Sequence, residues 1–146
     1  MSTDDIDHSN KIPNSFHEAQ GMGLIPWTDP VYDTRDFNVY KDKFPVTKDH
    51  ALIVPKKNTN EEILKCMNFA LSMGSDNVRS DENDITGFNI GMNFGESAGQ
   101  TVMWPHVHLI FRRDGDTPDP VGGIRNVIPG QGNYRKETYK DASKDS

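Results

Sequence analysis

Two imidazoles stand two residues apart in Gly99-Gln100-Thr101-Val102-Met103-Trp104-Pro105-His106-Val107-His108-Leu109-Ile110-Phe111-Arg112-Arg113. In an extended chain alternate side chains share a face, so Gln100, Val102, Trp104, His106, His108 and Ile110 fall on one side and Met103, Val107, Leu109 and Phe111 on the other. Two imidazoles on one face can reach a single tetrahedral phosphorus, one attacking it while the other donates a proton or hydrogen bond. Gln100, Thr101 and amides made approachable by Gly95 and Gly99 are suited to holding phosphate oxygens. The same spacing also suits a pair of surface histidines or half of a divalent-metal site completed from elsewhere.

The elements that must position these groups can be read on either side of them. Val31-Tyr32-Asp33 and Phe37-Asn38-Val39-Tyr40-Lys41 flank a Thr34-Arg35-Asp36 turn and predict a hairpin. Ala51-Leu52-Ile53-Val54, entered through His50 and ended by Pro55, predicts a central strand. Thr59-Asn60-Glu61-Glu62 fits a capping box, and Ile63, Leu64, Met67, Ala70 and Leu71 form an apolar stripe, so one principal helix is expected over about 59–74 with Gly74 as its stop. Phe88-Asn89-Ile90-Gly91-Met92-Asn93 alternates as a half-buried strand does, and a glycine-rich turn from Phe94 to Gly99 leads into the histidine segment. Met67, Met73 and Cys66 read as packing residues. Strands, one good helix, then strands predict an α+β fold with a mainly antiparallel sheet, and any second helix is expected to be short or irregular.

With 146 residues, 34% hydrophobic and 26% charged, the chain suits one modest domain with polar ends. We expect a flexible or loosely docked arm over 1–23, a domain over 24–134 and a frayed tail over 135–146. His8 and His17 fall in the arm as solvated histidines, and Trp27 is expected to pack the arm onto the domain. A net charge of −6 argues against general nucleic-acid binding. The single cysteine, Cys66, excludes an intramolecular disulfide and a multi-cysteine zinc site and points to a reducing cytoplasm. The acidic start does not read as a signal peptide, and no run approaches the ~18 apolar residues of a membrane span.

Gly99-Gln100-Thr101-Val102, followed by His106-Val107-His108-Leu109-Ile110 and Arg112-Arg113, resembles the histidine triad superfamily of nucleotide hydrolases and transferases. The resemblance extends to Pro45-Val46-Thr47-Lys48-Asp49-His50-Ala51-Leu52-Ile53-Val54-Pro55-Lys56-Lys57 and to Gly122-Gly123-Ile124-Arg125-Asn126-Val127-Ile128-Pro129, covering about 31–134. It implies the superfamily's fold, with His106 as the nucleophile that forms a nucleotidyl-histidine at an α-phosphate. It further implies His108 beside that phosphate, His50 in support, Gln100 and Thr101 as phosphate contacts, Asn93 as a binding-site asparagine and Asp42 on the ribose hydroxyls.

The first triad position carries Trp104 instead of histidine, with Pro105 after it. The family nucleophile is oriented by the backbone carbonyl of that first residue, a group Trp104 retains, while its indole is expected to pack. The implied substrates are nucleoside phosphoramidates, dinucleoside polyphosphates or related nucleotide esters. No cofactor or protein-bound metal is required, a divalent cation at most accompanying the substrate, and a homodimer is implied. The alternative is a nucleotide-binding protein that keeps the pocket with little or no turnover.

Overall fold

The computed structural model describes residues 12–144. Its elements run α1 (Phe16–Gly21), β1 (Tyr32–Asp33), β2 (Phe37–Lys41), β3 (Ala51–Pro55), α2 (Asn60–Arg79), β4 (Gly87–Gly91) and β5 (Val107–Arg112). Short 3-10 turns lie at Glu96–Ala98, Gly123–Val127 and Ala142–Lys144. The five strands form one sheet in the order β1-β2-β3-β5-β4, every neighbouring pair antiparallel. The α+β expectation and its hairpin therefore hold.

The pleat sorts the strand residues onto two faces. Val39, Ile53, Val107, Leu109 and Phe111 pack under α2 with Ile63, Cys66 and Ala70. Tyr40, Leu52 and Val54 point the other way, into a second cluster with Ala19, Ile25, Trp27 and Trp104. The histidines belong to this second face. Among the described residues no helix is long and apolar enough to cross a membrane.

Two local expectations are corrected. Thr59 caps α2 as predicted, accepting from the Glu62 amide at 3.2 Å, but the helix continues past Gly74 to Arg79. Gly74 is there because Phe88 of β4 lies against it, and a Cβ would sit 2.5 Å from that ring. The buried stripe is Ile63, Cys66, Ala70 and Gly74, while Leu64 and Leu71 are exposed. Burial pushes the Cys66 thiol up to about 12, as suits an inert packing residue.

Of the two readings of the polar arm, flexible or loosely docked, the described part is docked. His8 lies outside the described residues, but from residue 12 onward the chain docks. Ser15 caps α1 through its hydroxyl, the Phe16 amide donates to the Lys56 carbonyl at 2.9 Å, and the Asn58 amide donates to the Asn14 carbonyl at 2.8 Å. Ala19 is fully buried and Phe16 meets Trp104 edge-on, so a few apolar side chains among polar ones suffice to hold this segment, while His17 stays exposed.

The second correction concerns the histidine segment, whose strand begins only at Val107. Pro105 has no amide hydrogen for a ladder, and the Gln100 side-chain amide donates to the carbonyls of Val102 and Met103. The alternation read from the sequence is real for 107–112, where Val107, Leu109 and Phe111 are buried and His108, Ile110 and Arg112 half-buried.

Candidate active site

β5 places His108 between two neighbours in the sheet, paired with Leu52 of β3 and Gly91 of β4. Gly91 offers no side chain, which leaves room beside the imidazole. β3 begins directly after His50, and the turn that delivers this residue is pinned from β5. Thr47 donates its hydroxyl to the Phe111 carbonyl at 2.8 Å, and Arg113 reaches the Asp49 carboxylate at 3.0 Å and the Lys48 carbonyl at 2.9 Å. Asp49 itself adopts a left-handed conformation, φ 71. Arg113, just past the end of β5, thus fixes this loop, while Arg112 is held by Asp116 and Asn89.

The hydrogen bonds assign a proton to each imidazole. The Val46 amide donates to Nδ1 of His50 at 3.2 Å, so that nitrogen carries a lone pair and the proton sits on Nε2. Nε2 of His50 lies 2.9 Å from Nδ1 of His108, which therefore accepts, leaving the His108 proton on its own Nε2. Asp42 Oδ2 stands 3.5 Å from the same His50 nitrogen, while its Oδ1 accepts from the Phe44 amide at 2.8 Å. Nδ1 of His106 faces the Trp104 carbonyl at 2.9 Å, and a carbonyl only accepts. His106 thus keeps its proton on Nδ1 and presents a lone pair at Nε2. Among the described residues the one sealed side-chain polar atom without a partner is Oδ1 of Asn38, so neither free Nε2 is closed off.

Burial favours the neutral form of all three rings. Burial pulls His106 below its ordinary range, opposed by the Trp104 carbonyl and the Asp42 carboxylate. Burial, with His106 and His50 close by, lowers His108 to about 4. His50 is likewise lowered by burial against the attraction of Asp42.

These rings line a cavity of about 410 Å³ together with Asp42, Asn93, Gly99 and Thr101. Six of the seven residues singled out from the sequence therefore converge: His106, His108, His50, Asp42, Asn93 and Thr101. Gln100 does not reach the cavity wall. Its carbonyl oxygen accepts from the Gly95 amide at 2.8 Å and its NH2 group holds two carbonyls of the next turn, so it braces the loop from within. Trp27 was read only as packing. It does pack on Tyr40, yet it also lines the cavity and meets the His106 ring at 4.9 Å between centroids. Its one sequence signal is an aromatic residue held in a proline-flanked turn.

Asp42, His50 and His108 also bring three ligand atoms within 4.8 Å of one another. A cation bound to Nε2 of His50 would drive that ring's proton to Nδ1, against the Val46 amide hydrogen already aimed there. The donor set therefore fits a hydrogen-bonded relay better than a metal.

Residues 27–115 match the HIT domain family model. The chain is 31% identical over 87 residues to an uncharacterized HIT-like protein of Chlamydia muridarum, a match spanning 56% of this chain and 69% of that protein. It is 33% identical over 88 residues to Protein hit of Bacillus subtilis, covering 56% and 60%. Among solved structures it resembles a HIT family protein from Bacillus anthracis, with a TM-score of 0.55, 28% identity and 73% and 78% of the two chains covered. A zinc-bound histidine triad family protein from Mycobacterium smegmatis matches at TM-score 0.53 and 28% identity, covering 62% and 73%. The matched region contains every residue that lines the cavity except Pro26, and on that extent the chain belongs to the HIT domain family.

Proposed function

We propose that the protein is a nucleotide hydrolase or nucleotidyl transferase in which Nε2 of His106 attacks the α-phosphorus of a nucleoside phosphoramidate, dinucleoside polyphosphate or related nucleotide ester. The observation that carries this reading is the pair of opposite tautomers in one cavity: an unprotonated Nε2 on His106 and a protonated Nε2 on His108. As the nitrogen–phosphorus bond forms, the bond from phosphorus to the leaving group breaks and a nucleotidyl-histidine results. The His108 proton stabilises the phosphate oxygen or the departing group. Water then attacks the same phosphorus, the phosphorus–nitrogen bond breaks, and nucleoside monophosphate leaves. Another nucleophile in place of water gives transfer.

Asp42 accepts from the ribose hydroxyls, Asn93 and Thr101 contact the nucleotide from the cavity wall, and Trp104 occupies the first position of the triad. The protein works in the cytoplasm as a homodimer with no resident cofactor or metal, any divalent cation arriving with the nucleotide. Rapid-quench mass spectrometry across a panel of nucleotide esters tests the reading. A nucleotidyl adduct on His106, absent in His106→Ala, is the expected result. Nucleotide binding with neither adduct nor turnover across the panel overturns it in favour of a binding protein.

A further inference from the structure

Trp104 is fully buried, and it makes two hydrogen bonds in opposite directions. Its indole Nε1 donates to the Pro55 carbonyl, at the end of β3, at 2.9 Å. Its own carbonyl accepts from Nδ1 of His106, also at 2.9 Å. We propose that Trp104 is a positioning residue: its indole tethers the irregular segment before β5 to β3 and so sets the carbonyl that fixes the tautomer and aim of His106. The proposal rests on the reading above for the role of His106, and goes beyond it in assigning work to a side chain where that reading requires only a backbone carbonyl.

Three further observations make the tether necessary. Among the described residues no backbone-to-backbone hydrogen bond involves residues 101–105, so the ladder does not hold this stretch. Besides the His106 ring on the Trp104 carbonyl, its side-chain anchors are the Gln100 amide on the Val102 and Met103 carbonyls and the Trp104 indole on Pro55. Gln100 holds the start of the stretch, and the indole holds the end that touches the nucleophile. Pro105, buried between Trp104 and His106, fixes its own φ and cannot donate, so it passes the position of Trp104 on with one torsion removed.

The receiving end is also held. The neighbouring carbonyl, that of Lys56, accepts from the Phe16 amide of α1, and Phe16 lies edge-on to the Trp104 ring at 6.2 Å. Wall and tether are thus clamped from outside by α1.

The test removes the donor and keeps the shape. β-(3-benzothienyl)alanine at position 104 replaces the indole N–H by sulfur, and Trp104→Phe serves as the encodable partner. Two readouts follow: the His106 tautomer by 15N NMR of the free protein, and nucleotidyl transfer by rapid quench. The wild-type protein is expected to show the Nδ1–H form of His106, and the isostere a mixture with Nε2–H. The isostere should form adduct about tenfold or more slowly with KM unchanged, because misaim costs rate and leaves binding alone.

An isostere with a wild-type tautomer, or with a wild-type rate, overturns the proposal. If Trp104→Phe fails to fold, the isostere decides alone. If wild-type protein forms no adduct, the assignment of His106 as nucleophile fails, while the tautomer measurement still judges the tether.

Discussion

The two histidines that meet in the cavity are held by different means, although only Val107 separates them. His108 is aimed by register, because its strand is paired on both sides, with Leu52 across one ladder and Gly91 across the other. His106 directly follows the stretch that no ladder holds and is aimed by a carbonyl, an indole tether and the Trp27 ring. A side chain aimed by register is lost only when the sheet is lost, since a one-residue slip would turn Val107, Leu109 and Phe111 out of the core. A side chain aimed by tethers can be lost alone.

The largest expected effect breaks the tethered side. With His106 as the proposed nucleophile, His106→Ala should lower turnover by about a thousandfold or more. Its stability cost, from leaving the Trp104 carbonyl unpaired, should stay within about 1–3 kcal/mol in denaturant unfolding. The mirror experiment is Gly74→Ala, whose methyl meets the Phe88 ring and strains the contact between α2 and β4. It should cost about 1–3 kcal/mol of stability and leave turnover per folded molecule unchanged. If it changed kcat at full folding, the paired half of the segment would be as easily misaimed as the tethered half.

Gln100→Ala sharpens the comparison from within the loop. It frees the Gly95 amide and the two carbonyls of Val102 and Met103, yet it leaves the indole tether in place. Turnover should fall by severalfold to about tenfold, less than for the nucleophile and with KM rising little, because the residue does not line the cavity. A pure loss of nucleotide affinity, with kcat intact, would instead make Gln100 a direct phosphate contact.

What the sequence made legible follows the same division. The strands, the Thr59 half of the capping box and the alternation of 107–112 are local patterns that appear where expected, whereas the Glu62 carboxylate accepts from Lys65 rather than reaching back to the Thr59 amide. The extension of α2 past Gly74 was hidden because the reason for that glycine, the Phe88 ring, lies on another element. The histidines, Asp42, Asn93 and Thr101 carried the family pattern and meet in one cavity. Trp27 carried none, since it reaches His106 through tertiary packing alone. The turn of Gln100 into its own loop, onto the Gly95 amide and the Val102 and Met103 carbonyls, is likewise a competition between side chain and backbone that no periodicity reports.

Proton titration gives the finest separation of the two sides. In the proposed mechanism nucleotidyl transfer needs Nε2 of His106 unprotonated, so its rate rises with pH through the pKa of His106, which burial holds below the ordinary ~6.5. The acid limb of the rate should therefore fall below that value, leaving a flat profile from weakly acidic pH upward. Stability has its own window. His108 titrates at about 4 when folded and near ~6.5 when unfolded, so between those values the unfolded chain binds more protons. The contribution of this ring is complete above ~6.5 and declines as pH falls toward about 4.

Trp27→Leu should pull the two responses apart. Removing the indole beside His106 admits water, raises the pKa of that ring and moves the acid limb to higher pH, while the register-held His108 keeps its stability window. A pH–rate profile set beside pH-dependent unfolding of the same variant checks this. Equal movement of both curves would mean that the two imidazoles titrate as one unit, and that the neighbouring rings, 5.2 Å apart, share their environment more than their separate anchors divide it.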